Sequence, residues 1–189
     1  SLASAFAYHW TDPDKLQKHI EGTKEYTLLA RDVGATSIRV FPNALPENVP
    51  KEQTMEQIGK SLAEVGEFAF DYGVKIKVCN HGGETSRPLV IKKIIDYSQS
   101  PHVYVNWNCS EKECEGEGFE HNFNLLKDRI VSLHTHELWN ESYPYRKLFK
   151  LLAESGFDGY CNAEIPSNED PIRILRYYRA LFLSLQNAY

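Results

Sequence analysis

The stretch Ile130-Val131-Ser132-Leu133-His134-Thr135-His136-Glu137 decides how the chain is read. Alternation with a period of two sends Val131 and Leu133 to one face and Ser132, His134 and His136 to the other, the pattern of a strand with one apolar and one chemical side. The same pattern recurs upstream and downstream. Ile38 and Val40 alternate with Ser37 and Arg39, and Val74, Ile76 and Val78 alternate with Lys75, Lys77 and Cys79. Val103, Val105 and Trp107 alternate with Tyr104, Asn106 and Asn108, and Cys161 and Ala163 with Tyr160, Asn162 and Glu164. A parallel sheet buried on both sides reads as unbroken Val/Ile/Leu runs. A repeated polar face therefore needs water or a polar hollow beside it, and function is expected there.

Between these strands the periodicity changes to that of helices. Asp12-Pro13 opens one with a cap and a first-turn proline, Leu16, Ile20, Thr23, Thr27 and Ala30 share a face, and Gly34 ends it. Met55, Ile58, Leu62, Val65 and Ala69 mark a second helix that stops at Gly73, after a Pro/Asn-rich loop over 42–50. A third is expected from about Ser86 to Tyr97 with Val90, Ile91, Ile94 and Ile95 inward, then a short one around Phe123 and Leu126. Tyr145, Leu148, Phe149 and Leu152 mark another, and the last runs from Pro171 to Leu185. Residues 108–118 form the longest polar loop, with two cysteines and four glutamates, and read as an acidic, solvated segment or a lid.

A strand followed by a helix recurs six times, beginning with a short apolar strand over Ser1 to Tyr8, which calls for a parallel sheet with right-handed crossovers. An open doubly wound sheet would carry a glycine-rich phosphate loop in its first strand–helix turn, and none is present. The α/β class with a (β/α)8 TIM-barrel type of closure fits better, because polar residues fall at the strand ends: Cys79, Asn108, His134 and Glu164.

Composition narrows the partners. The 189 residues, 42% of them hydrophobic, supply one sizeable core, so a single domain over 1–189 is expected. The net charge of −5 argues against nucleic acid as a partner. No run approaches the ~20 apolar residues of a membrane span, and residues 1–7 are too short for a signal peptide. A cytoplasmic protein with reduced thiols at Cys79, Cys109, Cys114 and Cys161 is the expectation, unless an export signal preceded Ser1.

The ordered phrases Leu29-Ala30 through Gly34-Ala35 into Ile38-Arg39-Val40-Phe41, Gly73-Val74 through Asn80-His81-Gly82-Gly83, His134-Thr135-His136-Glu137, and Gly156-Phe157-Asp158-Gly159-Tyr160 leading to Glu164 cover nearly the whole chain. Together they resemble the xylose isomerase-like TIM barrel superfamily of sugar isomerases and epimerases. The resemblance implies action on a sugar or polyol through a divalent metal (Mn, Zn, Co or Mg) held by Glu, Asp, His and Glu at the ends of the last four strands. It assigns His134 and Glu164 as metal ligands and catalytic groups. Cys79 and Asn108 stand where the first glutamate and the aspartate are expected, so a thiolate and a neutral amide are the metal candidates there.

His81, His136, Lys77, Arg39 and Trp139 are the candidate substrate contacts, with Trp10 and Tyr143 as further rings that could stack on a sugar. Lys77 and Arg39 share the inward face with Glu164, which is an expected partner for either cation and leaves positive charge to replace part of a missing metal. The rival reading is a sugar-binding barrel that has lost its metal and its chemistry. The resemblance places Ser1–Tyr8 on the family's third strand, leaving the first two units without counterparts in a fold that takes about 250 residues. Either the chain is a piece of a longer barrel, or a partner chain, a homo-oligomer included, covers the exposed sheet edges.

Overall fold

Alternation, caps and glycine stops produce the elements they predict. In the computed structural model, which describes residues 1–186, six parallel strands alternate with six helices. These are β1 (Leu2–Ala7), α1 (Pro13–Asp32), β2 (Ser37–Phe41), α2 (Lys51–Phe70), β3 (Lys75–Cys79), α3 (Pro88–Ser98) and β4 (Val103–Trp107), followed by α4 (Phe119–Leu126), β5 (Ile130–Thr135), α5 (Tyr145–Glu154), β6 (Tyr160–Ala163) and α6 (Pro171–Gln186). The strands lie in the order β1-β2-β3-β4-β5-β6, every pair parallel. The sheet curls into an open barrel of six β/α units, the (β/α)8 type without closure between β1 and β6.

Local chemistry explains the ends. Asp12 accepts from the backbone N–H groups of Asp14 (3.0 Å) and Lys15 (3.3 Å), covering orphan donors at the start of α1. Gly34, Gly73 and Gly156 each take φ near +70° after α1, α2 and α5, the left-handed turn that stops a helix. The helix expected from about Ser86 starts instead at Pro88, preceded by a 3₁₀ turn over Gly83–Ser86. Arg87 is extended (φ −80°, ψ 127°) because a residue before proline avoids helical backbone.

The core lies between the outer sheet face and the helices. Ile38, Val40, Ile76, Val78, Val103, Val105, Trp107 and Leu133 are completely buried there, against Ile58, Leu62, Val65, Ile91, Ile94 and Leu148. Gly59 lets α2 approach α3 closely: a Cβ at that position would meet the Ile94 carbonyl oxygen at 2.6 Å. The inner face is polar, as the alternation requires. β1 and β6 each pair on one side only, and β6 is exposed along most of its length. In α6 Leu185 is buried while Ile172, Leu175 and Tyr177 face outward.

The acidic loop is exposed at Glu111, Lys112 and Glu117, as its composition suggested, and departs from that reading at Glu113. A 3₁₀ turn at Glu111–Cys114 turns Glu113 inward, where it is fully buried and accepts from the Asn80 amide (2.6 Å) and the Tyr143 hydroxyl.

Candidate functional site at the strand ends

Two layers of inward side chains make up the site. Parallel register puts Arg39 beside Lys77, Cys79 beside Asn106, Asn106 beside Ser132 and His134 beside Asn162. Two residues further along a strand is one step of about 7 Å toward the mouth, so His134 lies above Ser132 and Glu164 above Asn162.

In the outer layer His134 and Glu164 meet: Nδ1 stands 3.3 Å from the carboxylate Oε2. Partial burial lowers the His134 pKa against the opposing pull of Glu164, with Arg39 and Lys77 adding to the lowering. Glu164 remains half exposed and open to a ligand, its side chain 54% accessible. His136 is the strap of this layer. Its ring nitrogens face the carbonyl oxygens of Glu164 (3.0 Å) and Asn108 (2.8 Å), and its backbone N–H donates to the Tyr145 hydroxyl (2.9 Å).

Cys79 and Asn108 form a second pair. The thiol lies 3.6 Å from the Asn108 side-chain oxygen and accepts from the Asn106 amide at 3.5 Å. Burial pushes the Cys79 thiol up to about 11, so it is a neutral thiol here. The Asn108 backbone N–H donates to Asn80 Oδ1 (2.8 Å).

The cations do not pair with Glu164 as expected. Lys77, 3% exposed, donates from Nζ to Ser132 Oγ across β4 (2.8 Å), and burial pulls its pKa down to about 8. Arg39 donates to the Ser4 carbonyl (3.1 Å) and lies over the Phe41 ring at 4.2 Å, while its buried Nε lacks a partner. Arg39 reaches sideways to β1, and Lys77 reaches one step forward to Ser132 at the level of Cys79 and Asn106, while Glu164, nearer the mouth, is taken by the two imidazoles.

The other candidates separate. His81 is exposed beside the Phe41 ring (5.4 Å). Trp139 is 70% exposed and donates to Glu137 (2.9 Å), outside the inner face. Tyr143 is a core residue, 5% exposed and accepting from Trp107 Nε1 (2.8 Å), so it cannot stack on a ligand. Trp10 packs under Lys15, whose Nζ lies 3.2 Å from the ring centroid.

Sequence reasoning missed the support beneath the site. Glu113, carried by the loop after β4, binds Asn80, and Asn80 in turn holds the backbone of Asn108. Burial raises the Glu113 pKa to about 8, with the hydrogen bonds from Tyr143, Asn80 and the backbone of Ser110 and Asn108 pulling the other way. Nothing in the spacing of that loop separates Glu113 from its three acidic neighbours.

The donor set does not fit the carboxylate-rich metal centre the resemblance implies. One carboxylate and one imidazole face each other, while Cys79 and Asn108 offer a protonated thiol and a neutral amide. Among the described residues no group of three or more His, Cys, Asp or Glu side chains is placed to hold a metal ion. A dication needs anionic oxygen ligands to offset desolvation, and Glu164 alone supplies one.

Comparison with known proteins agrees with this architecture. No curated protein matches the chain by sequence. Among solved structures it is similar to a D-tagatose 3-epimerase-like protein (19% identity, TM-score 0.76, covering 95% of this chain and 74% of that one). It is also similar to the 3-keto-D-glucoside 4-epimerase YcjR of E. coli (12%, 0.77, covering 98% and 78%). A third is the IOLI protein, solved with a bound zinc atom (16%, 0.79, covering 100% and 77%). At these identities the likeness establishes the fold. Among the described residues no helix is long and apolar enough to cross a membrane. The family model described as xylose isomerase-like TIM barrel matches residues 1–181, and the chain belongs to that family.

Proposed function

We propose that this chain is a sugar isomerase- or epimerase-type barrel that binds a carbohydrate or polyol on its inner face and uses Glu164 and His134 to move a proton. The observation that carries the reading is the His134 Nδ1–Glu164 Oε2 contact of 3.3 Å at the mouth of the barrel, with Glu164 open to the hollow. Glu164 takes the proton from the carbon next to a sugar carbonyl, the C–H electron pair becomes the double bond of an enediol, and an N–H of His134 protonates the carbonyl oxygen. Return of the proton by Glu164 to the neighbouring carbon, with an enediol hydroxyl giving a proton back to His134, gives an isomer; protonation of the enediol carbon from the opposite face by solvent water, with Glu164 losing its proton to solvent, gives an epimer. His136 holds the Glu164 and Asn108 backbones in register and keeps the two strand ends together.

A second reading is favoured by the neutral Cys79–Asn108 pair: a barrel that binds sugars and performs no chemistry. Solvent-deuterium incorporation at carbon separates the two. Ketoses and aldoses incubated in D₂O, with and without added Mn²⁺ or Zn²⁺, should gain deuterium at the carbon beside the carbonyl, and Glu164→Gln should abolish the gain. Sugars that bind without any exchange under either condition would establish the second reading.

A further inference from the structure

A chain of hydrogen bonds with one direction crosses the inner face beneath the His134–Glu164 pair and ends at Asn108. A lysine ammonium can only donate, so the Lys77 Nζ contact of 2.8 Å makes Ser132 Oγ the acceptor. The Ser132 proton is then left for Asn106 at 2.5 Å, and the Asn106 atom that takes it is Oδ1. That turns Asn106 Nδ2 toward Cys79 Sγ (3.5 Å) as a donor. The neutral thiol gives its own proton to Asn108 at 3.6 Å, which sets Asn108 Oδ1 against the sulfur. Asn108 is half-buried, and its Nδ2 is left on the far side of the amide without a partner among the described residues.

Asn106 pairs in register with Ser132, and two residues further along each strand bring Asn108 level with His134. The Asn108 backbone is held at both ends, its N–H on Asn80 Oδ1 (2.8 Å) and its carbonyl oxygen on His136 Nε2 (2.8 Å). The amide is therefore set before any ligand arrives. An N–H presented to the hollow takes an oxygen acceptor and repels a cation. We infer that Asn108 Nδ2 donates to the carbonyl oxygen of an open-chain sugar and holds that oxygen against His134. While Glu164 draws the proton from the neighbouring carbon, negative charge gathers on this oxygen until His134 protonates it, and a preorganised donor there lowers the barrier. This assignment rests on the reading of the barrel as a carbohydrate site and specifies its substrate class as an aldose or ketose bound through its carbonyl.

The test is nuclear magnetic resonance of the ¹⁵N-labelled full chain in EDTA, with D-xylulose as the carbonyl probe and xylitol as its reduced counterpart. The Asn108 side-chain amide signal, assigned through its own backbone, should move downfield with xylulose and less with xylitol. Asn108→Asp keeps an oxygen for the thiol and turns the donor into an acceptor. It should bind xylulose about tenfold or more weakly and slow deuterium exchange by about 10²-fold or more, the usual loss for such a donor. Cys79→Ser keeps a proton for Asn108 Oδ1 and should keep the shift, whereas Cys79→Ala frees the amide to turn over and should reduce it. The wild-type shift stands by itself if a variant does not fold. An unmoved Asn108 signal, an equal movement with xylitol, or no binding of xylulose overturns the assignment, and a full response in Cys79→Ala overturns the chain that orients the amide. Exchange that is lost in Glu164→Gln while the Asn108 signal ignores xylulose would leave the catalytic reading standing alone. A shifted signal without any exchange would leave the Asn108 contact standing alone.

Discussion

Glu113 gives the sharpest quantitative test. Its carboxyl group is fully buried with a pKa raised from 4.5 to about 8, burial being the larger cause. A carboxylic acid whose folded pKa is raised keeps its proton in the native state after the unfolded chain has lost it. Stability therefore falls with rising pH between about 4.5 and 8, by about 1.4 kcal/mol per unit. Between pH 5 and pH 7.5 the wild type should lose about 3 kcal/mol through this one group. Replacing Glu113 with Gln removes the titration and keeps an oxygen for the Asn80 amide, while the new amide N–H faces the Tyr143 hydroxyl. That rearrangement costs on the order of 1 kcal/mol.

Urea unfolding of both proteins at the two pH values measures the difference directly, and the other titrating groups cancel because both proteins share them. The Gln variant should be near parity or slightly weaker at pH 5 and more stable by a few kcal/mol at pH 7.5. Parallel pH profiles would refute the argument. They would mean that Tyr143, Asn80 and the two backbone groups hold Glu113 as a carboxylate in the fold.

Two further predictions concern the scaffold, and one the chemistry. Gly59→Ala drives a methyl group into the Ile94 carbonyl and Tyr97 Cβ, both at 2.6 Å. The backbone of α3 cannot yield cheaply, so the variant should lose about 1–3 kcal/mol by denaturant unfolding despite alanine's better helix propensity. Asp12→Ala uncovers the Asp14 and Lys15 N–H groups and should cost about 1 kcal/mol in the same assay. His134→Gln should slow deuterium exchange by about 10²-fold or more, the usual size of a lost acid–base group, with the melting temperature little changed.

Strands β2 to β6 were legible because one inner and one outer face were written into each of them. Val78 and Val105 went to the core and Lys77 and Asn106 to the hollow, as period two requires. The meeting of His134 and Glu164 followed from the same rule, since both sit at the mouth ends of neighbouring strands. Loops obey no such period. That is why Glu113 read as one more solvated acid and Tyr143 as a free ring, whereas they bind each other at the centre of a buried network with Asn80 and Trp107. The partners of Lys77 and Arg39 were misjudged for a related reason. Alternation fixes the face of a side chain, and it leaves open which layer a long flexible cation reaches along.

Cys79 and Asn108 are the positions where this chain departs from the acid pattern its family resemblance implies, and restoring the acids tests what the departure does. The Cys79 sulfur and the Asn108 oxygen lie 3.6 Å apart, with Cys79 1% exposed. In Cys79→Glu combined with Asn108→Asp, two carboxylates would share that space with Glu164 nearby. At such separations like charges repel by about 4 kcal/mol at an effective dielectric near 20, and the larger Glu side chain adds about 1–3 kcal/mol of overpacking. The double variant should thus be markedly less stable than wild type without metal. Mn²⁺ at about a hundred times its dissociation constant would return about 3 kcal/mol, because it binds the folded state alone. Melting curves with and without Mn²⁺ read this out: a rise of several degrees in the double variant and little in wild type is expected. An equal rise in both would show that the neutral pair never stood in the way of a metal, and that His134 and Glu164 suffice to hold one.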